Sequence, residues 1–173
     1  MGLQDTGKRS LTEDIIEWGN VEDFELFLNK ANINCKLSVV ESLDRKDLAF
    51  DFNGKKLLMT EIMSTGTSAL TLFYCWYQRI RKNEVSFLFI DEFDAFYHHD
   101  LSKMIVETLK EIGVQFILTT HNTSILSNDL LRPDCYFLMN KKKIKSLSNS
   151  TDKELREAHN IEKMYKAGAF NVD

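Results

Sequence analysis

Two adjacent carboxylates, Asp91 and Glu92, directly follow the four apolar residues Phe87 to Ile90. An apolar run of this length is typical of a strand that is buried on both faces, in the middle of a parallel sheet. Because burying an unpaired carboxylate is costly, we expect both acids to lie just beyond the carboxyl end of the strand. Open α/β sheets bind their ligands at that end. One acid could bind Mg²⁺ there, and its neighbour could orient or deprotonate an attacking water.

An imidazole follows a second apolar run in the same way. Val114 to Thr119 reads as another buried strand, and His121 comes just after it. If the two strands are parallel neighbours, one edge of the sheet carries a metal-binding acid, a base and an imidazole. That combination suits phosphoryl transfer, in which the protein binds Mg²⁺, positions water and contacts the γ-phosphate. A strand that simply ends in a charged turn is the alternative.

The elements that would position these residues alternate between helix and strand. Apolar spacing predicts two short helices between Leu11 and Lys30, with Gly19-Asn20 between them. Asn53-Gly54 predicts a hairpin turn. We predict further helices at residues 68–81, 101–111, 123–130 and 152–166, and strands at residues 36–40, 48–52, 55–59, 87–90, 114–119, 135–139 and 144–147. This order predicts an α/β fold with a mainly parallel sheet, flanking helices and an N-terminal β-hairpin region.

Composition narrows the class of protein. The 173 residues are 43% hydrophobic and 28% charged, which suits one globular domain with a real core. The net charge of -4 gives no global basic field that would attract nucleic acid. Cys35, Cys75 and Cys135 lack metal-site or disulfide spacing, so we expect buried, reduced thiols. The sequence shows no signal-peptide core and no apolar run long enough for a membrane span, and we expect a cytoplasmic protein.

With these motifs in place, the chain resembles the C-terminal half of an ABC-type ATPase head, which is a P-loop NTPase. Within that class it is similar to the AAA-type ATP-binding proteins related to the OLD family and the SMC-like repair ATPases. Phe87 to Phe93 resembles the Walker B motif, and Thr119 to Asn122 resembles the H-loop with its switch histidine. The resemblance covers residues 59–170. It predicts an N-terminal helical and hairpin region at 1–58 and an ABC ATPase-like lobe at 59–173.

The resemblance implies ATP and Mg²⁺ as cofactors and assigns roles to three of the residues above. Asp91 would hold Mg²⁺, by way of a water molecule. Glu92 would polarise the attacking water, and His121 would contact the γ-phosphate.

Two further motifs follow from the same resemblance. Ser64, Gly66 and Thr67 open an apolar helix where the signature motif would lie, and they would complete the nucleotide site of a partner subunit. The hydroxyls of Ser64 and Thr67, the close backbone approach that Gly66 allows, and the helix N-terminus suit a phosphate, although an ordinary helix cap is the alternative. Asp94 and His98 match the D-loop and would couple the two sites. Of the three residues between them, Phe96 and Tyr97 depart from the D-loop pattern.

A P-loop is missing from this pattern. Gly2 to Arg9 fits GxxxxGK superficially, but Arg9 replaces the Ser or Thr that binds Mg²⁺, and no buried strand precedes Gly2. We therefore expect the nucleotide-cradling half on other sequence, so that the chain is a C-terminal fragment, a truncated product or one part of a split ATPase. The unpaired edge of residues 114–119 predicts self-association or a partner that supplies the Walker A half. Any binding of nucleic acid would take place through the full-length assembly of this chain with its Walker A half.

Two other functions remain open at this point. The chain could be a non-catalytic module that regulates or neutralises a full-length relative by edge pairing. It could also be a metal-dependent nuclease that uses Asp91, Glu92, Asp94 and His121, since such sites combine clustered acids with Mg²⁺.

Overall fold

The computed structural model describes residues 10–42, 45–156 and 158–171. The chain divides into two compact units, Met1–Phe87 and Leu88–Asp173. The predicted boundary after residue 58 marks the start of a family lobe rather than of a compact unit, and it stays a prediction. The P-loop-like run from Gly2 to Arg9 lies outside the described residues.

Two short helices open the first unit, as the sequence predicts. The helix α1 (Leu11–Glu17) begins at Ser10, whose hydroxyl accepts the amide of Glu13, while the Glu13 carboxylate accepts the amide of Ser10. This reciprocal cap stabilises the first turn. Gly19 has a φ of 69°, which few other residues adopt, and the chain turns there before α2 (Val21–Lys30).

Three antiparallel strands follow in the order of the chain: β1 (Leu37–Ser42), β2 (Arg45–Phe52) and β3 (Lys55–Leu58). Asn53 and Gly54 connect β2 to β3 and both have positive φ, at 54° and 91°. Asn-Gly tolerates this geometry better than other pairs, so the predicted hairpin is confirmed.

Two helices complete the first unit, the short α3 (Met59–Ile62) and the long α4 (Thr65–Arg81). Side chains from α1, α2, α4 and the sheet meet in one apolar core. Its buried members are Ile15, Phe24, Leu28, Leu37, Leu48, Phe50, Met59, Tyr74 and Cys75. The core therefore anchors the middle of α4, through Tyr74 and Cys75.

The strands and helices around the predicted site lie in the second unit, apart from Phe87, the first residue of β4. They are β4 (Phe87–Ile90), α5 (His99–Ile112), β5 (Gln115–Leu118), β6 (Phe137–Met139), β7 (Ile144–Ser146) and α6 (Ile161–Lys166). The strand β4 pairs with β5, and β6 pairs with β7 in an antiparallel hairpin. Gly113, with a φ of 74°, ends α5.

The mixture of helices and small sheets fits an α/β fold of the P-loop type. The described residues do not, however, show the predicted mainly parallel sheet, because their strands form three separate small sheets. Two of these sheets, β1-β2-β3 and β6-β7, are antiparallel. Short turns at residues 53–54 and 140–143 join β2 to β3 and β6 to β7, and a tight turn can connect only antiparallel neighbours.

Two predicted helices are shorter in the structure. The segment 123–130 contains only the 3-10 turn Thr123–Ile125, because Leu126 already has an extended backbone. In the tail, the described residues become helical only from Ile161. The preceding residues are almost all polar or charged, so a helix there would have no apolar face to bury.

The predicted burial of β4 and β5 on both faces is wrong. Leu88 is buried, whereas Phe89 is 54% exposed and Ile117 on β5 is 51% exposed. An apolar run can indicate that a strand belongs in a core, but the elements that cover each face come from elsewhere in the sequence. One face of this pair is left open to solvent within the described structure. No helix in the described part of the chain is long and apolar enough to cross a membrane.

Candidate functional site

The carboxyl ends of β4 and β5 lie side by side. The amide of Thr119 donates to the carbonyl of Ile90 at 3.0 Å, and the amide of Phe93 donates to the carbonyl of Thr119 at 3.1 Å. Thr119 thus bonds to two different residues of the other chain segment, which is the pattern of segments that run in the same direction. The expectation that both strand ends share one edge is therefore met at this point.

Thr119 also links the two adjacent acids through its side chain. Its hydroxyl donates to Oδ1 of Asp91 at 2.5 Å and accepts the amide of Glu92 at 2.8 Å. Glu92 has a φ of 47°, a left-handed conformation that is uncommon for a residue with a side chain. Such backbone strain concentrates at functional sites. The hydroxyl satisfies the amide that this unusual turn presents.

Thr120 makes a second link of the same kind. Its hydroxyl donates to Oδ1 of Asp94 at 2.6 Å and accepts the amide of Asn122 at 2.9 Å. The side-chain oxygen of Asn122 in turn accepts both the amide and the hydroxyl of Ser124, at 3.0 and 2.6 Å. The loop that carries His121 is therefore held on both sides of the histidine.

A third link joins the histidine loop to α5. The hydroxyl of Ser124 lies 2.8 Å from Nδ1 of His99, which is in the first turn of the helix. We did not predict Thr119, Thr120, Ser124 or His99 as site residues. For Thr119 and Thr120, the only signal in the sequence is that they directly precede the histidine. Threonine hydroxyls can bond to many partners, so this signal does not identify their role.

Glu92 and His121 face one open cavity of about 340 Å³, which is lined by Glu92, Asp94, Ala95, His121 and Asn122. Oε1 of Glu92 lies 3.8 Å from Nε2 of His121, which is too long for a hydrogen bond. The two side chains are 62% and 94% exposed. The cavity is at the small end of the usual range for ligand pockets, and both groups can reach a molecule in it.

His98 caps the helix α5. Its Nδ1 accepts the amide of Leu101 at 3.2 Å and its carbonyl accepts the hydroxyl of Ser102 at 3.1 Å. Its side chain does not line the cavity. Its role as a coupling residue stays a prediction.

The signature-like residues belong to the other compact unit. Ser64 caps α4, and its Oγ accepts the amide of Thr67 at 3.1 Å and lies 2.9 Å from the hydroxyl of Thr67. Gly66 lies between them in the first turn. This geometry is that of an ordinary helix cap. The predicted action of these residues on the nucleotide of a partner subunit stays a prediction.

The described residues fit a magnesium ion only in part. They contain no group of three or more His, Cys, Asp or Glu side chains that could enclose a metal. Mg²⁺ usually keeps several waters and is bound by one or two carboxylates together with substrate phosphates. Asp91 suits that arrangement, because Thr119 orients its Oδ1 and its side chain is exposed at the strand end. The residues present therefore fit a Mg²⁺ that binds together with phosphates.

Comparison with known proteins identifies the family. The sequence model of a family described as "AAA domain, putative AbiEii toxin, Type IV TA system" matches residues 10–127, well over half of the chain. The match includes Asp91, Glu92 and His121, and it begins after the P-loop-like run from Gly2 to Arg9. A search of curated proteins finds no significant match. The chain therefore belongs to this AAA-domain family, a family of P-loop ATPase-type domains with a nucleotide-binding, ATPase-like function.

Proposed function

We propose that this chain is the Walker B and switch-histidine half of an ABC-like ATPase, related to the OLD and SMC-like enzymes. It hydrolyses ATP when another stretch of protein supplies the P-loop. The observation that carries this proposal is the placement of Glu92 and His121 on one cavity, at the ends of neighbouring strands. An acid and an imidazole that approach the same point from two loops suit an attacking water and a γ-phosphate.

Each of the three central residues has a role that its position supports. Asp91 binds Mg²⁺ or one of its waters, and that ion, when bound with ATP, would neutralise charge on the phosphates. Glu92 accepts a hydrogen bond from the attacking water and orients it. His121 donates from Nε2 to the γ-phosphate, and its high exposure leaves that atom accessible.

The need for a partner is supported by the apolar surface of the second unit. Five large apolar side chains on its strands are each more than half exposed: Phe89, Ile117, Phe137, Met139 and Ile144. Sheets of two strands are at best marginally stable by themselves, and their free edges invite pairing with further strands. A P-loop half supplied by a partner, or self-association with another copy of this chain, would cover such surfaces. In that assembly Ser64, Gly66 and Thr67 would act across a dimer, and Asp94 and His98 would couple its sites.

A complementation assay tests the proposal. The chain is co-purified with the P-loop half of an AAA-family relative, and phosphate release from ATP is measured with Mg²⁺. We expect Glu92→Gln to lower turnover by at least about 100-fold while ATP stays bound. Glu107→Gln, which changes an exposed glutamate on α5, is the matched control and should retain full turnover. Unchanged turnover in Glu92→Gln would remove Glu92 from the mechanism.

The same apolar surface also supports a second candidate, a non-catalytic module that binds an intact ATPase. This candidate predicts that Asp91→Ala leaves partner binding and biological effect intact, and that no P-loop half restores hydrolysis. A metal-dependent nuclease has less support, because such a site needs a denser set of acids than the described residues contain. Cleavage of DNA or RNA in the presence of Mn²⁺ that is abolished by Asp91→Ala would support the nuclease candidate.

A further inference from the structure

We infer that Thr119 and Thr120 are positioning residues, which fix the two acids and the histidine relative to one another before any nucleotide binds. The inference rests on the proposed function and extends it to two residues of the H-loop-like run, which the resemblance gives no role. Both threonines make the same pair of hydrogen bonds. Each hydroxyl donates to a carboxylate of the loop after β4 and accepts a backbone amide of the site.

The Thr119 hydroxyl stabilises the unfavourable backbone conformation of Glu92. At a φ of 47°, the Glu92 side chain is directed by a left-handed turn that a glutamate rarely adopts unaided. The Thr119 hydroxyl accepts the Glu92 amide in this turn and at the same time anchors Oδ1 of Asp91. Without the hydroxyl, the amide and the carboxylate both lose a partner, and the turn can relax. The Glu92 carboxylate would then leave its place opposite His121.

The Thr120 hydroxyl fixes the backbone on both sides of the exposed His121. The His121 side chain is 94% exposed, so packing contributes little to its position. Thr120 and Asn122, its two neighbours in the chain, are joined to each other and to Asp94 by the Thr120 hydroxyl. The histidine is therefore placed by its flanking residues. Threonine suits this task because branching at Cβ restricts its χ1 rotamers and so aims the hydroxyl.

Amide exchange in the nucleotide-free chain tests the geometry directly. The hydrogen exchange of the Glu92 amide is measured by NMR in the wild type, Thr119→Val and Thr119→Ser. Valine keeps the branched shape and removes the hydroxyl, whereas serine keeps the hydroxyl. We expect exchange about tenfold faster in the valine variant and close to wild type in the serine variant. The Asn122 amide should respond in the same way to Thr120→Val and Thr120→Ser.

Thr108→Val is the matched control, because the Thr108 hydroxyl bonds to the Met104 carbonyl within α5. It should change neither amide. Dispersion of the amide spectrum checks folding, and Thr119→Ala replaces the valine variant if that variant unfolds. Exchange that is equally slow without the hydroxyl would overturn the inference.

Turnover in the complemented ATPase tests the consequence. We expect Thr119→Val to lower kcat about 10- to 100-fold with little change in the KM for ATP, and Thr119→Ser to restore it. Faster exchange with an unchanged kcat would overturn the positioning role. If no complemented assembly hydrolyses ATP, the proposed function fails, and the exchange experiment still decides whether the threonines hold Glu92 and Asn122.

Discussion

Nε2 of His121 lies 3.8 Å from Oε1 of Glu92, and both atoms border the same open cavity. The two residues come from loops that follow different strands, so their proximity depends on the pairing of β4 with β5. The Thr119 hydroxyl reinforces that pairing at its end. With these groups already in place, the site would need little reorganisation to bind the phosphates of the proposed substrate.

The left-handed backbone of Glu92 predicts a conflict between stability and function. Glu92→Ala and Glu92→Gly both remove the carboxylate, but only glycine adopts a φ of 47° easily. We expect the glycine variant to be more stable than the alanine variant by about 1 kcal/mol, measured by urea unfolding. At Asp91, which is not among the described residues with positive φ, the order should reverse. Equal stability of the two Glu92 variants would show that the turn is not strained.

Tyr74 should contribute to stability through a partly buried hydrogen bond. Its hydroxyl donates to Oδ2 of Asp23 at 2.7 Å, and the side-chain Nε2 of Gln78 donates to the same oxygen at 2.7 Å. Burial of the ring and the Asp23 charge raise the pKa of Tyr74 far above its ordinary value. We expect Tyr74→Phe to lower the free energy of unfolding by about 1.5–3 kcal/mol, because it removes a bond to a charged acceptor. The partly exposed Tyr165 provides the control, since Tyr165→Phe should change this free energy by less than about 0.5 kcal/mol.

Stability should fall in acid partly through Glu25. The backbone amide of Leu37 donates to Glu25 at 2.7 Å and Lys36 pairs with it at 3.1 Å, and both hold the pKa of this carboxyl below its usual 4.5. A carboxyl whose pKa is lower in the folded protein than in the unfolded chain stabilises the folded state at pH values above its unfolded pKa. This stabilisation is lost as the pH falls through the pKa of the folded state.

We therefore expect Glu25→Gln to be less stable than wild type by about 1–2 kcal/mol at pH 7. The difference should shrink as the pH falls below 4.5. Chemical unfolding at several pH values measures this trend, and Glu22→Gln, at an exposed position on the same helix, should show no such trend. A gap that stays constant down to pH 3 would rule out the titration of Glu25 as its cause.

The three thiols should differ sharply in reactivity. The expectation that all are buried holds fully only for Cys75, because Cys35 is half-buried and Cys135 is exposed. Burial, with the negative charges of Asp14 and Glu25 as smaller causes, raises the pKa of Cys75 to about 12 and of Cys35 to about 11. Because the thiolate is the reactive form, iodoacetamide at pH 8 should label Cys135 alone in the folded protein. Mass spectrometry of the labelled peptides measures this, and unfolding in urea should expose all three. Rapid labelling of Cys75 in the folded chain would contradict its burial.

Local sequence determined most of the elements. The left-handed preference of Asn53-Gly54 makes the hairpin, and Gly19 and Gly113 separate or end helices where their positive φ values are needed. The apolar runs before Asp91 and His121 place those residues at strand ends. Each of these features depends on residues within a few positions of one another, which is why the periodicity and the turn residues suffice to predict them.

The arrangement of the site was decided by the tertiary structure. The bonds of Thr119 to Asp91 and Glu92 depend on how β4 and β5 align, and a shift by one residue would turn each side chain to the other face. The exposure of Phe89 and Ile117 likewise depends on which other elements cover their faces. The sequence by itself therefore determined which groups stand at the strand ends. Only the contacts between distant segments determined how those groups face one another.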